Sequence, residues 1–182
     1  MVRRRIPPLP PDSSAFRIRE GSAADMAFVR DVSAEVFTQF GDYGAFLPSY
    51  LEHPSVFTVV AEDQGRPMGF LMLALVASTR VMPWEAPTRG EPEEVLDAEV
   101  LAIAVAPEHQ SRQVGTRLME YAVSCATGWH RTVAVRSLQL NVAHTNHRAH
   151  DFFTRQGFVD VNPSDGFYPR GQRSIRMARR LP

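Results

Sequence analysis

Val100-Leu101-Ala102-Ile103-Ala104-Val105 is an apolar run of strand length that leads into the polar turn Pro107-Glu108-His109-Gln110-Ser111-Arg112-Gln113-Val114-Gly115. Past the turn, Val114, Leu118, Tyr121, Ala122, Cys125 and Trp129 recur at helical spacing and describe one buried face. A polar turn between a buried strand and a buried helix aims the free N–H groups of the helix's first turn outward, at the positive end of its dipole. That is a seat for a phosphate. Gly115 has a physical reason to stand there, because a side chain would hold a phosphate away from the backbone. Neither Gly-Lys-Ser/Thr nor an early Gly-x-Gly accompanies the turn, which argues against nucleoside triphosphate and dinucleotide sites.

Other reactive side chains read as structural. His144, His147 and His150 are spaced by three, but no cysteine or carboxylate completes a ligand set with them, so no metal is expected. Cys125 falls on the buried helical face and reads as core rather than nucleophile.

The elements that position the turn follow from periodicity and punctuation. A short strand is expected at residues 16–19. After it, Ser22-Ala23-Ala24-Asp25 reads as a capping box. Met26, Val29, Val32, Val36, Phe37 and Phe40 then trace a helix face that Gly41 and Gly44 interrupt, with a second helical stretch to Glu52. Residues 56–61 and 68–75 form an expected antiparallel hairpin around Asp63-Gln64-Gly65-Arg66. The segment 78–94, with Pro83, Pro87, Gly90 and Pro92, is long for a connection and reads equally as a binding loop or a passive insertion. Then come a strand at 95–105, a helix at 114–129, a strand at 133–142, a helix at 145–156, and strands near 158–161 and 174–178. The alternation indicates an α/β or α+β sheet covered by helices.

One domain accounts for the 182 residues, with residues 1–14 as an extended Pro/Arg-rich tail and 15–182 as the folded unit. Acidic and basic residues balance at 20 each, so no net field draws the chain to nucleic acid or an anionic membrane. One cysteine precludes an internal disulfide, and no apolar run has bilayer length; both point to a cytoplasmic location.

The turn resembles the cofactor motif Q/R-x-x-G-x-G/A of the GNAT superfamily of N-acetyltransferases, matched by Gln110, Gly115 and, less well, Gln113 and Thr116. Gln113 replaces the first glycine, a substitution accommodated if its φ is negative. A second stretch, Asn146-His147-Arg148-Ala149-His150-Asp151-Phe152-Phe153-Thr154-Arg155-Gln156-Gly157-Phe158, is similar to the family's N-x-x-A-x-x-F-Y-x-x-x-G-F. The resemblance spans residues 16–179. It implies a mixed, mostly antiparallel central sheet with helices on both faces and a splayed cofactor cleft between the fourth and fifth strands. It implies acetyl-CoA as co-substrate, with its pyrophosphate on Gln110, Ser111, Arg112, Gln113, Val114, Gly115 and Thr116. The pantetheine arm would add to the edge at Ile103, Ala104 and Val105, with Asn146 and Phe153 beside it.

The catalytic groups are less defined. The family's acid is often the tyrosine of the second motif, and Phe153 stands there. Glu99 occupies the place where relatives hold a carboxylate base, with a solvated strand-end charge as the other reading; Asp97 shares its face further away. Asn141 lies where some N-terminal acetyltransferases carry Glu or His, and an amide there can orient a water. Gly166-Phe167-Tyr168-Pro169 resembles a peptide-entrance segment of N-terminal acetyltransferases, including those acting on ribosomal proteins. That makes Tyr168 a candidate for substrate contact and for the missing acid, or a packing turn. The resemblance thus implies an enzyme acting on a primary amine of a small molecule or peptide N-terminus, with homodimerisation open. The alternative is a catalytically silent acyl-CoA-binding regulatory domain.

Overall fold

A computed structural model of the chain describes residues 8–9, 16–79, 82–85, 94–161 and 166–182. Among them seven strands form one sheet: β1 (Arg17–Glu20), β2 (Val56–Asp63), β3 (Arg66–Ser78), β4 (Val95–Val105), β5 (Ser137–Ala143), β6 (Val159–Asp160) and β7 (Ser174–Arg180), in the order β1-β2-β3-β4-β5-β7-β6. Each neighbouring pair is antiparallel except β4–β5, which is parallel. Most of the expected tail and of the 78–94 segment lies outside the described residues. Within that segment, residues 82–85 dock on the sheet, Met82 and Trp84 packing against Val161 and Ala178.

Two helical layers cover the sheet. On one face α3 (Val114–Val133) buries Leu118, Tyr121, Ala122, Cys125 and Trp129, and α4 (His147–Arg155) buries Phe153. On the other, α1 (Met26–Val36) and the short α2 (Tyr43–Phe46) cover Val60, Phe70, Met72, Ala102 and Ala104. Burial of the Cys125 thiol pushes its pKa up to about 12, against an opposing hydrogen bond from Tyr121, so it stays an inert core group.

Three boundaries differ from the sequence reading. α1 stops at Val36, and Phe37 and Phe40 continue its apolar face from a turn rather than from helix. α3 runs on through Val133 and ends at Ala134 in a left-handed conformation, φ 56°. β5 therefore begins at Ser137, not at residue 133. The β-branched Val133 and Val135 read as strand, but Val133 is the last residue of the helix and Val135 reaches the core from the link that follows it.

β4 carries one irregularity that matters for the site. Leu73 pairs with Val100 and Met72 with Ala102, so Leu101 is an extra, bulged residue. Before it, Asp97 and Glu99 lie on the α1 face and Ala98 and Val100 on the α3 face. After it, Ala102 and Ala104 lie on the α1 face and Ile103 and Val105 on the α3 face.

Candidate active site

β4 and β5 pair only from Ala98 to Val100 against Leu138 to Leu140. Beyond that both strands continue, β4 to Val105 and β5 to Ala143, without pairing each other. The result is a wedge, and a cleft of about 1030 Å³ opens at it. The Ala106 N–H donates to the Met68 carbonyl on β3 at 2.9 Å. Successive N–H groups of an extended chain point to opposite edges, so those of Val105 and Ile103 face the wedge. These two residues turn their N–H groups toward an extended ligand, while the Val105 carbonyl accepts from the Gln110 side chain.

The turn after β4 closes one end of the cleft. Pro107–His109 form one short 3-10 turn, and Ser111 and Gln113 then adopt left-handed conformations with φ 64° and 63°. The negative φ that would accommodate a glutamine at position 113 is not the one adopted. A glutamine occupies a backbone conformation that favours glycine, with no side-chain cap hydrogen bond to offset it. The Gln110 Nε2 donates to the Val105 carbonyl at 3.2 Å, tying the turn to the strand end. α3 starts at Val114, so the N–H groups of Val114, Gly115 and Thr116 lack intrahelical partners. A Cβ added to Gly115 would meet Val105 Cγ2 at 3.7 Å and Phe152 Cζ at 3.8 Å, ordinary contacts. Packing does not demand glycine there, whereas a ligand approaching the backbone would.

Gln110, Ser111, Gln113, Val114, Gly115 and Thr116 all line the cleft. Arg112 does not. Its guanidinium lies on the exposed side of the turn, with Nη1 3.2 Å from the His109 Nδ1.

A sequence profile of the acetyltransferase (GNAT) family matches residues 25–158, well over half of the chain. The chain belongs to this family. A comparison with curated protein sequences returns no match. Among solved structures, NAA60 from Arabidopsis thaliana in complex with a bisubstrate analogue is similar at 14% identity and a TM-score of 0.72, over 91% of this chain and 98% of that one. Naa20 from Chaetomium thermophilum, also with a bisubstrate analogue, shows 24% identity and a TM-score of 0.63, over 90% and 86% of the two chains. The ribosomal-protein-S18-alanine N-acetyltransferase from Escherichia coli shows 16% identity and a TM-score of 0.63, over 91% and 94%. At these identities the likeness is one of fold.

The remaining walls of the acetyltransferase cleft come from α4, β5 and β7. Asn146 caps α4, its side-chain oxygen accepting from the Ala149 N–H at 3.2 Å. The cap occupies the amide oxygen and leaves the NH2 group as the available donor. Phe153 lines the cleft with only 7% of its surface exposed and packs edge-on to Phe152 and Phe158. Arg148, Phe152 and Arg155, which sequence reasoning passed over, line the same wall; their spacing of four and three is the signal that places them on one face of α4.

Glu99 lines the cleft where the wedge begins. Its Oε1 accepts from the Asn141 Nδ2 at 3.2 Å, and Asn141 in turn accepts from the Ser174 hydroxyl at 3.3 Å. The Arg176 Nη2 stands 3.9 Å from the Glu99 carboxylate, while its Nη1 donates to the buried Gln139 at 2.8 Å. Ser174 and Arg176 were not anticipated, although their spacing of two on β7 places them on the face that carries Gln139 and Asn141. Asp97 is fully buried and belongs to a separate cluster: Arg136 donates to it through Nη2 at 2.5 Å and Nε at 3.1 Å, and the Ser137 hydroxyl at 2.7 Å. It lies outside the cleft.

Tyr168 also lines the cleft, half-buried against Phe40 with ring centroids 5.4 Å apart. Burial, and to a lesser degree its neighbour Tyr43, raises its pKa above the ordinary tyrosine value. His150 is engaged with Asp160 at 2.8 Å, and the His144 Nδ1 sits 3.2 Å from the Arg173 carbonyl. No described helix is long and apolar enough to cross a membrane.

Proposed function

We infer that this acetyltransferase passes the acetyl group of acetyl-CoA directly to a primary amine, and that it favours α-amines over lysine side chains. The observation that carries the reading is a cleft with a carboxylate, Glu99, at the opening of the wedge and a phenylalanine, Phe153, at the family's acid position. The N–H groups of Ile103 and Val105 suit a pantetheine arm. The open N–H groups around Gly115 suit its pyrophosphate. The Asn146 NH2 suits a pantetheine carbonyl.

In the reaction the amine nitrogen attacks the thioester carbon, the new C–N bond forms, and the C–S bond breaks. A β4 N–H facing the wedge stabilises the tetrahedral oxyanion. The proton shed by the amine passes to Glu99 through water, with Asn141 orienting that water. CoA leaves as thiolate. A thiol titrates near pH 8.5, well below a buried phenol, so Tyr168 serves the thiolate as a hydrogen-bond donor and solvent supplies the final proton.

This weak proton machinery selects the acceptor. With amine pKa values near 7.7–8.0 for an α-amine and 10.4 for lysine, the α-amine is neutral on the order of several hundred times more often at pH 7. The test is thiol release on mixing the protein, acetyl-CoA and an amine panel, repeated with Glu99→Gln. Wild type should prefer α-amines, and the variant should lose turnover near neutral pH and regain it where the amine is already neutral. An unaltered pH–rate profile in Glu99→Gln removes the carboxylate from the mechanism. Lysine side chains acetylated faster than every α-amine would overturn the substrate choice.

A further inference from the structure

The acceptor end of the cleft has a composition of its own. Phe37, Phe40 and Tyr43 reach it from the end of α1 and the turn beyond, and Tyr168 from the opposite segment, residues 166–173. Their rings interlock, with centroids 5.3 Å apart for Phe37 and Tyr43, 5.4 Å for Phe40 and Tyr168, and 6.4 Å for Tyr43 and Tyr168. Hydrogen bonds bind the two segments together: the Gln172 Nε2 donates to the Gln39 carbonyl at 2.6 Å, and the Arg170 N–H to the Phe40 carbonyl at 3.2 Å. The wall therefore stands without a ligand. Burial raises the pKa of both phenols, which keeps the wall uncharged at neutral pH.

Phe40 is 4% exposed and belongs to the core, but Phe37, Tyr43 and Tyr168 are only half-buried. Ring surface is thus left toward the cleft that Glu99 also lines. An amine held at that carboxylate places its own substituent on these rings. Apolar surface seated there leaves water on both sides, whereas a small or charged substituent strips water from the wall and returns no contact, or is itself desolvated.

We propose that the acceptor carries a bulky apolar or aromatic group on the carbon next to its reactive amine, seated against Phe37, Tyr43 and Tyr168. This deepens the α-amine reading and rests on it. Two sources share the chemistry: a peptide that begins with a large apolar residue, and a free amino-acid-like amine with such a side chain.

The experiment measures kcat/KM by thiol release for pentapeptides differing only in their first residue, Met, Leu or Phe against Gly, Ser or Asp. The matching amino-acid amides are assayed in parallel. In an apolar pocket one methylene is worth roughly 10- to 200-fold, so the large apolar residues should lead glycine by about 10-fold or more. Tyr43→Ala should shrink that ratio to a few-fold while the calorimetric affinity for acetyl-CoA stays at the wild-type value; Phe37→Ala, whose ring packs on Tyr43, makes the same test should Tyr43→Ala not fold. Peptides far ahead of their amides assign the peptide source, and amides that match them assign the free amine; both uphold the shared chemistry. Equal kcat/KM for Gly and Phe, a preference for Asp, or an unchanged ratio in a folded variant overturns it. Failure of the underlying reading looks different: an N-blocked lysine peptide would outrun every α-amine, whatever its first side chain.

Discussion

Replacing Gln113 by glycine should make the protein more stable, against the usual direction of a glycine substitution. Gln113 sits at φ 63°, ψ 9°, immediately before α3, and its exposed side chain makes no cap hydrogen bond. A left-handed conformation costs an L-residue roughly 1–2 kcal/mol that glycine does not incur. Glycine in turn has more freedom in the unfolded chain, which takes back about 0.4–1 kcal/mol. Glycine is also the better N-cap by a few tenths of a kcal/mol at most. The net gain is about 0.5–1 kcal/mol, or roughly 1–4 °C in melting temperature for a chain of this length. Urea unfolding with unchanged m-value and scanning calorimetry both read it. Gln113→Ala keeps the strained conformation and should gain nothing. Ala134→Gly relieves the corresponding strain at the other end of the same helix, φ 56°, and should stabilise without touching cofactor affinity. A Gln113→Gly protein that melts at or below the wild-type temperature would refute the strain argument.

Three further outcomes follow from the same geometry. Gly115→Val should leave the fold intact, since a Cβ meets only ordinary contacts at 3.7 and 3.8 Å, yet weaken acetyl-CoA binding by at least an order of magnitude; calorimetric titration decides it, and unchanged affinity would move the phosphate seat elsewhere. Asp97→Ala takes the buried carboxylate from Arg136, which keeps Glu85 at 3.2 Å, and should cost roughly 1.5–3 kcal/mol in denaturant unfolding, while the protein that folds keeps its acetyl-CoA affinity. Hydrogen bonds from Arg19 above all hold the Asp25 and Glu62 carboxylates below their ordinary pKa values. Depressed folded-state values stabilise in full above the unfolded values, near 3.9–4.3, and that stability is lost as pH falls through the folded ones. Urea midpoints should therefore drop below about pH 4, and less steeply in Arg19→Met.

What the sequence made legible was what is local in the chain. The apolar run at 95–105, stopped by Pro107, marked β4 at its observed ends, and the helical spacing from Val114 marked the start and buried face of α3. The turn after β4 and Asn146, which both line the cleft, each lie within one short motif. The far end of the cleft was named in the sequence only at Glu99, Asn141 and Tyr168, through the resemblance; Phe37 and Tyr43, from beyond α1, and Ser174 and Arg176, from the last strand, are tied to them by no local period. Arg112 lies in the same turn but not among the residues that line the cleft, since membership of a turn does not say which way a side chain leaves it. The left-handed backbone at Gln113 was hidden because the residue most compatible with it is not the one present.

The bulge at Leu101 has a further meaning for how this chain could change length. An uninterrupted strand that skipped Leu101 would still place Glu99, Ala102 and Ala104 on one side and Val100, Ile103 and Val105 on the other. The extra residue leaves the facing of the other side chains unchanged, and its own side chain adds one partly buried contact to the α1 layer. Its effect falls on the backbone, where added local twist bends the strand at the point where it parts from β5. A shorter β4 could thus bury the other side chains and run straight, with its edge free to pair along β5. The opening between β4 and β5 thus begins at a single inserted amino acid, whose side chain is held on the α1 layer while its backbone turns the strand away.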